Sequence, residues 1–377
     1  MRDERLVRLA NTLVNHSLEL KKDQAVLITG SIVAKPLMKE IIREVYKVGG
    51  KPFLELQDDE LSVEIAKSSS ESSIQISKGW LEKKIEDVDA LIHIRAVDND
   101  AEMSEVPTDI MQLHGKVMKP VHDVLTNQRN WVLLNYPTSA AAQKAKMGTE
   151  RFEDYVFEVC GIDYEKLAER QKALQDLMER TEKVRIVAPN TDLTFSIKEI
   201  SVVTSHGKRN IPDGEIFTAP VKDSVNGTIT YNTPCPYRGV TFNNVSLTLK
   251  DGKIVDAFSD NTDKLNEILD SDEGARYIGE FAIGLNPLIN TPVGNILFDE
   301  KINGSIHFTP GSAYESADNG NRSMVHWDMV LILRKEFGGG ELYFDDQLVQ
   351  KDGSFVLDEL KPLNPQQLLE KEEKIHI

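Results

Sequence analysis

The sequence predicts an α/β protein in two parts: a doubly wound α/β domain over residues 1–183, followed by a β-rich α+β domain over residues 184–377. Three observations carry this expectation. The first half alternates short apolar runs with stripes of helical period. Beyond residue 184 those stripes give way to short alternating runs punctuated by Gly, Asn and Asp. Finally, the stretch Asp299–Asp328 concentrates Glu300, His307, Tyr314, His326 and Asp328 among turn-forming residues, which marks the second domain as metal-binding.

In the first half, Leu6, Leu9 and Leu13 recur at helical spacing, and Lys21, Lys22 and Asp23 close that segment before the apolar strand Ala25–Gly30. A second helical stripe, Pro36, Leu37, Ile41, Ile42 and Val45, stops at Gly49 and Gly50, where glycine supplies the helix C-terminal conformation. Residues 51–56 read as the next strand, and residues 90–96 and 131–137 supply two more, with helical segments between. Such units predict right-handed crossovers and a parallel sheet. The turn after the first strand lacks both the three-glycine dinucleotide fingerprint and the Lys-Ser/Thr phosphate loop, so a plain strand-to-helix connection is expected there. His93 falls in an apolar strand, and His114 and His122 on a helix; all three read as structural or surface histidines. Residues 150–183 read as one long charged helix linking the domains. In the second half, residues 191–197 and 227–232 are strand-like, and residues 245–259 form a hairpin turning at Asp251-Gly252.

Composition narrows the function classes. With 61 acidic and 44 basic residues the chain has a formal charge of -17 and no Lys/Arg-rich run, so a nucleic-acid partner is not expected. Cys160 and Cys235 are the only cysteines, and their spacing matches neither a paired-cysteine metal site nor a disulfide framework, which points to a reducing compartment. The N-terminus is charged throughout and no run reaches membrane-spanning length, so a cytoplasmic protein without a membrane partner is expected.

The candidate site residues follow from their settings. The run Met324–Leu333 reads as a strand, in which His326 and Asp328 share a face about 7 Å apart at the backbone while Val325, Trp327 and Met329 take the other. Pro212, Asp213 and Gly214 bring the chain round to present Glu215. Glu280 stands among Tyr277, Ile278, Phe281, Ile283 and Leu285, where a carboxylate is expensive to bury unless paired or metal-bound. Glu300 and His307 are joined by a segment in which Gly304 permits a tight approach. A mixed imidazole and carboxylate set without cysteine suits a catalytic metal site, with zinc or cobalt favoured over magnesium or manganese. More ligand-type groups are present than one mononuclear site with an open position requires, so two bridged divalent ions are expected.

The segments PDGEIFTAP (212–220), ARYIGEFAIGLNP (275–287), NILFDEKINGSIHFTPGSAY (295–314) and VHWDM (325–329) together resemble the metallo-aminopeptidases of the aminopeptidase T and aminopeptidase S type, also called thermophilic aminopeptidases. The resemblance covers most of the chain, although the identifying segments all lie in the second half. It implies a dinuclear metal site, removal of one residue from a free peptide N-terminus, and a homodimer. Carried over residue by residue, Glu215, Glu280, Glu300, His307 and Asp328 match metal-site positions, His326 is a ligand or its immediate neighbour, and Tyr314 matches the active-site tyrosine. Two departures are a brief loop between His307 and His326 and the pair Thr309-Pro310 in place of small apolar residues. On this reading Glu215 or Glu280 serves as proton acceptor and the Tyr314 hydroxyl stabilises the oxyanion. The alternatives are a metal-dependent hydrolase of another small amide or ester, and a catalytically inactive α/β binding protein.

Overall fold

In the computed structural model, which describes residues 2–99 and 101–370, the chain folds as two compact units. The chain up to Gly161, together with Gly207–Pro212, forms the first; Ile162–His206 and the chain from Asp213 onward form the second.

The first unit is a parallel sheet with helices. Strands β1 (Ala25–Ser31), β2 (Lys51–Gln57), β3 (Ala90–Arg95) and β4 (Asn130–Asn135) fall at the apolar runs of the sequence. They alternate with α1 (Glu4–Asn11), α2 (Lys35–Lys47), α3 (Asp59–Lys67), α4 (Glu71–Asp87) and α5 (Thr108–Gln128), and α6 (Ser139–Lys144) and α7 (Thr149–Cys160) follow. Local chemistry sets the helix ends. Asp58 accepts from Leu61 N at 3.0 Å to start α3, Ser70 and Ser73 form a capping box on α4, and Gly49 takes φ +80° just past α2.

The second unit is antiparallel. It begins with α8 (Tyr164–Arg180) and strands β5 (Lys183–Ala188), β6 (Thr191–Ser196) and β7 (Val203–Ser205). The chain then returns briefly to the first unit as β8 (Asn210–Ile211), which pairs in parallel with β4 and completes the sheet order β2-β1-β3-β4-β8. From there the second unit resumes with β9 (Glu215–Thr218), β10 (Asn226–Thr230), β11 (Cys235–Tyr237), β12 (Val240–Phe242), β13 (Ser246–Lys250) and β14 (Lys253–Phe258). Next come α9 (Thr262–Leu269), β15 (Ile278–Gly284), α10 (Ile296–Asp299), β16 (Ser305–Pro310), β17 (Val330–Ile332), β18 (Glu341–Phe344), β19 (Gln347–Lys351), β20 (Ser354–Phe355) and α11 (Pro365–Leu369).

Three antiparallel sheets result: an eight-stranded one, β14-β13-β10-β6-β5-β18-β19-β20; a five-stranded one, β17-β16-β15-β9-β7; and the hairpin β11-β12. The two larger sheets share an aromatic core, in which the Phe195 ring of β6 lies 5.0 Å from both Phe281 of β15 and Phe308 of β16. The turn between β13 and β14 is made by Asp251 and Gly252, both at positive φ.

Several expectations are corrected. Residues 150–183 form two helices rather than one, because the chain breaks at Gly161 and restarts where Asp163 accepts from Lys166 N at 3.0 Å. The second of these helices is no linker: Gln171 of α8 donates to the backbone of Ser205 and Glu215, which fastens it inside the second unit. The sequence places the change of domain at residue 183, whereas the compact units divide at Gly161, and Gly207–Pro212 belongs again to the first. Within Met324–Leu333 the regular strand covers only Val330–Ile332, and His326 reaches the sheet through an isolated bridge to Gly311. Among the described residues no helix is long and apolar enough to cross a membrane.

Candidate metal centre

One face of the sheet β17-β16-β15-β9-β7 carries the cluster. Alternation along the strands puts Glu215 and Phe217, then Glu280, Ala282 and Gly284, then His307 and Thr309 on that face, while Phe281 and Phe308 turn to the aromatic core. The register pairs Glu215 with Gly284, Ala282 with His307 and Glu280 with Thr309, so Glu280 and His307 are diagonal neighbours. Their side chains meet, with His307 Nε2 3.2 Å from Glu280 Oε1. Gly284 is required by close approach, since a Cβ there would lie 2.1 Å from the Ile302 carbonyl oxygen.

His326 and Asp328 enter from the irregular segment beside β16. His326 Nδ1 donates to the Ser312 carbonyl at 2.8 Å, which orients the ring and turns Nε2 toward Glu280 Oε2 at 3.3 Å and Asp328 Oδ1 at 3.2 Å. Thr309 Oγ1 donates to the same Asp328 oxygen at 2.8 Å. Between them Trp327 faces away and is buried against the hairpin β11-β12, stacked 4.7 Å from Tyr237 and 5.1 Å from Phe242. The shared face expected for His326 and Asp328 is therefore present without a regular strand. The Tyr314 ring, half of it exposed, lies 4.7 Å from His326 and 5.7 Å from Phe217.

Glu300 follows α10, a single turn started by the Asn295 side chain accepting from Leu297 N at 3.2 Å. The neighbouring Asp299 accepts from Val293 N at 2.7 Å and Gly294 N at 3.0 Å, which fixes the approach to that turn. Lys301 comes next. It is fully buried, with Nζ 2.8 Å from Glu215 Oε1, in contact with Glu300 Oε1, and 3.9 Å from Asp213 Oδ1.

Six of the seven site residues singled out from the sequence thus converge as donors: Glu215, Glu280, Glu300, His307, His326 and Asp328; the seventh, Tyr314, packs on His326. His93 bonds Thr29 in the first unit, and His114 and His122 are exposed. Sequence reasoning missed Lys301 and Thr309. Lys301 stands next to Glu300 in the run Asp299-Glu300-Lys301, where a lysine among carboxylates carries no ligand signal, and Thr309 stood out only as a departure from a resemblance.

Electrostatics are dominated by burial and by opposed charges. Burial pushes the Glu215 carboxyl up, and raises Glu300 to about 7 despite the neighbouring ammonium of Lys301. For Glu280 burial acts upward too, but hydrogen bonds from His307 and His326 outweigh it and the net shift is down. Burial depresses His307, yet Glu280 and Glu215 raise it to about 9; His326 is raised likewise by Asp328 and Glu280. Lys301 stays protonated because Glu215 and Glu300 overcome its burial.

The arrangement fits divalent cations. Glu215 Oε2 is buried with no hydrogen-bond partner, and the donors are carboxylate oxygens and imidazole nitrogens alone. Three groups each bring three ligand atoms within 4.8 Å of one another: Glu215, Glu280 and His307; Glu280, His326 and Asp328; and Glu300, His307 and Asp328.

Known proteins share this sequence pattern and this fold. The family described as thermophilic metalloprotease (M29) matches residues 2–355. Aminopeptidase 2 of Geobacillus stearothermophilus is 25% identical, with 93% of this chain and 95% of that protein aligned. Aminopeptidase T of Thermus thermophilus is 23% identical over 86% of this chain and 92% of its own. The structure of wild-type AmpT from Thermus thermophilus superposes with a TM-score of 0.77 at 19% identity, covering 94% of this chain and 99% of that one, and so shares the fold.

Proposed function

The chain belongs to the thermophilic metalloprotease (M29) family, and we propose that it is an aminopeptidase releasing the N-terminal residue of peptides at a dinuclear centre formed by Glu215, Glu280, Glu300, His307, His326 and Asp328. One observation carries the dinuclear reading: the two oxygens of Glu280 face different imidazoles, His307 at 3.2 Å and His326 at 3.3 Å, so one carboxylate joins two ligand sets. Zinc or cobalt suits these donors better than magnesium or manganese. When bound, such ions polarise the scissile carbonyl and acidify the attacking water.

The protein's own groups supply the rest. Glu280 fixes the spacing of the two imidazoles, and the Ser312 carbonyl holds the His326 ring in its orientation. Oε2 of Glu215, buried and without a hydrogen-bond partner, is the atom that takes a proton from water and returns it to the leaving amine, a role it fills when it does not itself hold an ion. The Tyr314 hydroxyl donates to the oxyanion as the carbonyl becomes tetrahedral. The acidic surroundings favour a substrate carrying a free ammonium group, which selects the peptide N-terminus. A homodimer and a cytoplasmic location belong to the same proposal, supported by the resemblance in sequence and by two free, buried cysteines.

The test uses purified protein, chelated and then resupplied with zinc or cobalt, against aminoacyl amides, N-blocked amides and esters. The expected result is metal-dependent cleavage confined to substrates with a free amino group. Cleavage of blocked amides or esters instead reassigns the site to another hydrolase, and inactivity at full metal occupancy overturns the catalytic reading.

A further inference from the structure

A lysine is an unexpected neighbour for a cluster meant to hold cations. Lys301 is fully enclosed, and its ammonium lies 2.8 Å from Oε1 of Glu215 and touches Oε1 of Glu300. Its backbone is pinned on both sides: the amide donates to the Phe298 carbonyl at 3.0 Å, and its carbonyl accepts from Asn286 N at 3.0 Å. Asp213, whose carbonyl accepts from Asn286 Nδ2 at 2.9 Å, stands 3.9 Å from the same ammonium. An ammonium buried this way is costly unless several anions surround it, and three do.

The ammonium leaves each carboxylate with two unlike oxygens. Oε1 of Glu215 is committed to Lys301, whereas Oε2 is buried, has no hydrogen-bond partner and lies 3.7 Å from His307 Nε2. Glu300 likewise spends Oε1 on Lys301 while offering an atom to the group that includes His307 and Asp328.

We propose that Lys301 is a positioning residue: it clamps one oxygen of Glu215 and one of Glu300, so that each carboxylate presents a single oxygen, at a fixed place, to the metal centre and the reacting water. This rests on the reading of the cluster as a metal centre. Without the clamp, both carboxylates are free to rotate and to chelate through both oxygens, which raises the coordination number and withdraws Glu215 from proton transfer. A permanent internal cation also offsets part of the repulsion among Glu215, Glu300 and Asp328 before any ion binds.

The test compares wild type with Lys301→Met, which keeps the bulk and removes the charge, and Lys301→Arg, which restores a cation able to bridge two carboxylates. Each chelated protein is titrated with cobalt(II) while its visible absorption, metal stoichiometry and circular dichroism are recorded, and kcat and KM are measured on an aminoacyl amide. For Lys301→Met the expectation is native circular dichroism, retained cobalt, weaker visible bands from higher coordination, and kcat at least 10-fold lower with KM within about threefold, a partial return with Lys301→Arg being expected. An unchanged cobalt spectrum with kcat within twofold of wild type overturns the clamp. Should neither variant fold, the infrared difference spectrum of the wild type on cobalt addition decides: monodentate carboxylate bands beside the bridging band of Glu280 support the clamp, and chelating bidentate bands with no monodentate band overturn it. Wild type that takes up no cobalt sinks the metal-centre reading itself, whereas wild type that binds cobalt and cleaves nothing sinks only the peptidase reading.

Discussion

Metal binding should be coupled to proton release with a steep and calculable pH dependence. In the metal-free protein His307 is held protonated to about pH 9, because Glu280 and Glu215 outweigh the effect of burial, and His326 is raised in the same direction by Asp328 and Glu280. A cation requires the neutral imidazole, so the proton must leave first. With His307 about two pH units above neutrality, its proton alone costs about 100-fold in affinity at pH 7 relative to the plateau well above pH 9. If His326 releases its proton over the same range, the logarithm of affinity rises with a slope between one and two per pH unit above pH 7 and more steeply below it, where Glu300, raised to about 7, also gives up a proton. Competition between apo-protein and a chelator of known proton affinity, run from pH 6.5 to 9.5, measures the slope directly. Calorimetry at pH 7 in buffers of different ionisation enthalpy counts the protons independently. A flat affinity profile with no protons released would refute both the charged state assigned to the imidazoles and their role as ligands.

Three further outcomes are expected. The metal-free protein should lose stability as pH rises from about 6.5 to about 9: the folded pKa of His307 is raised above its ordinary 6.5, so the contribution is complete below 6.5 and lost as pH passes the folded value, and calorimetric Tm of chelated protein checks this. Thr309→Val removes the hydroxyl that donates to Asp328 at 2.8 Å without changing side-chain shape, so metal affinity should fall about 10- to 100-fold with the fold intact, read by chelator competition and circular dichroism. Phe281→Ala empties the point where Phe195 and Phe308 converge on β15 and should cost about 3–5 kcal/mol in denaturant unfolding; a loss under about 1 kcal/mol would contradict the packing of the two sheets.

The legible parts of this molecule are those whose signal is local. The strands β1, β3 and β4 announced themselves as apolar runs that their sheet buries, the edge strand β2 as an extended segment after Gly49-Gly50 although Phe53, Leu54 and Leu56 stay exposed, and the turn at Asp251-Gly252 because two successive positive φ values favour that pair. Glu280 was legible for a different reason, as a carboxylate that no apolar strand tolerates without a partner. What stayed hidden depends on tertiary geometry. The pattern of residues 150–183 is helical on both sides of Gly161, so the break rests on one weak punctuator, and nothing in Asn210-Ile211 reveals that these two residues pair with β4. His326 and Asp328 were placed correctly on one face through the wrong element: Trp327, locked against Tyr237 and Phe242, enforces the alternation that a regular strand would otherwise supply. Lys301 was invisible because its inward course is set by α10 and by the Asn286 hydrogen bond, neither of which leaves a trace in the residue pattern around it.

Charge balance then bears on the number of ions. Glu215, Glu280, Glu300, Asp328 and the nearby Asp213 surround Lys301 as the fixed cation, which leaves four negative charges once both imidazoles are neutral. One divalent ion leaves two negative charges and two leave none, so charge alone admits either occupancy. The distribution of donors is what supports the dinuclear proposal. Each set of three confines its ligand atoms within 4.8 Å, and the set containing Glu215 shares with the set containing His326 only Glu280, whose two oxygens point to different imidazoles. A single ion would leave one imidazole facing that carboxylate with no cation between them, and would strand His326 in an orientation that the Ser312 carbonyl already fixes. On the proposed dinuclear reading both oxygens of Glu280 and both rings would be used, and the carboxylates would be neutralised in full.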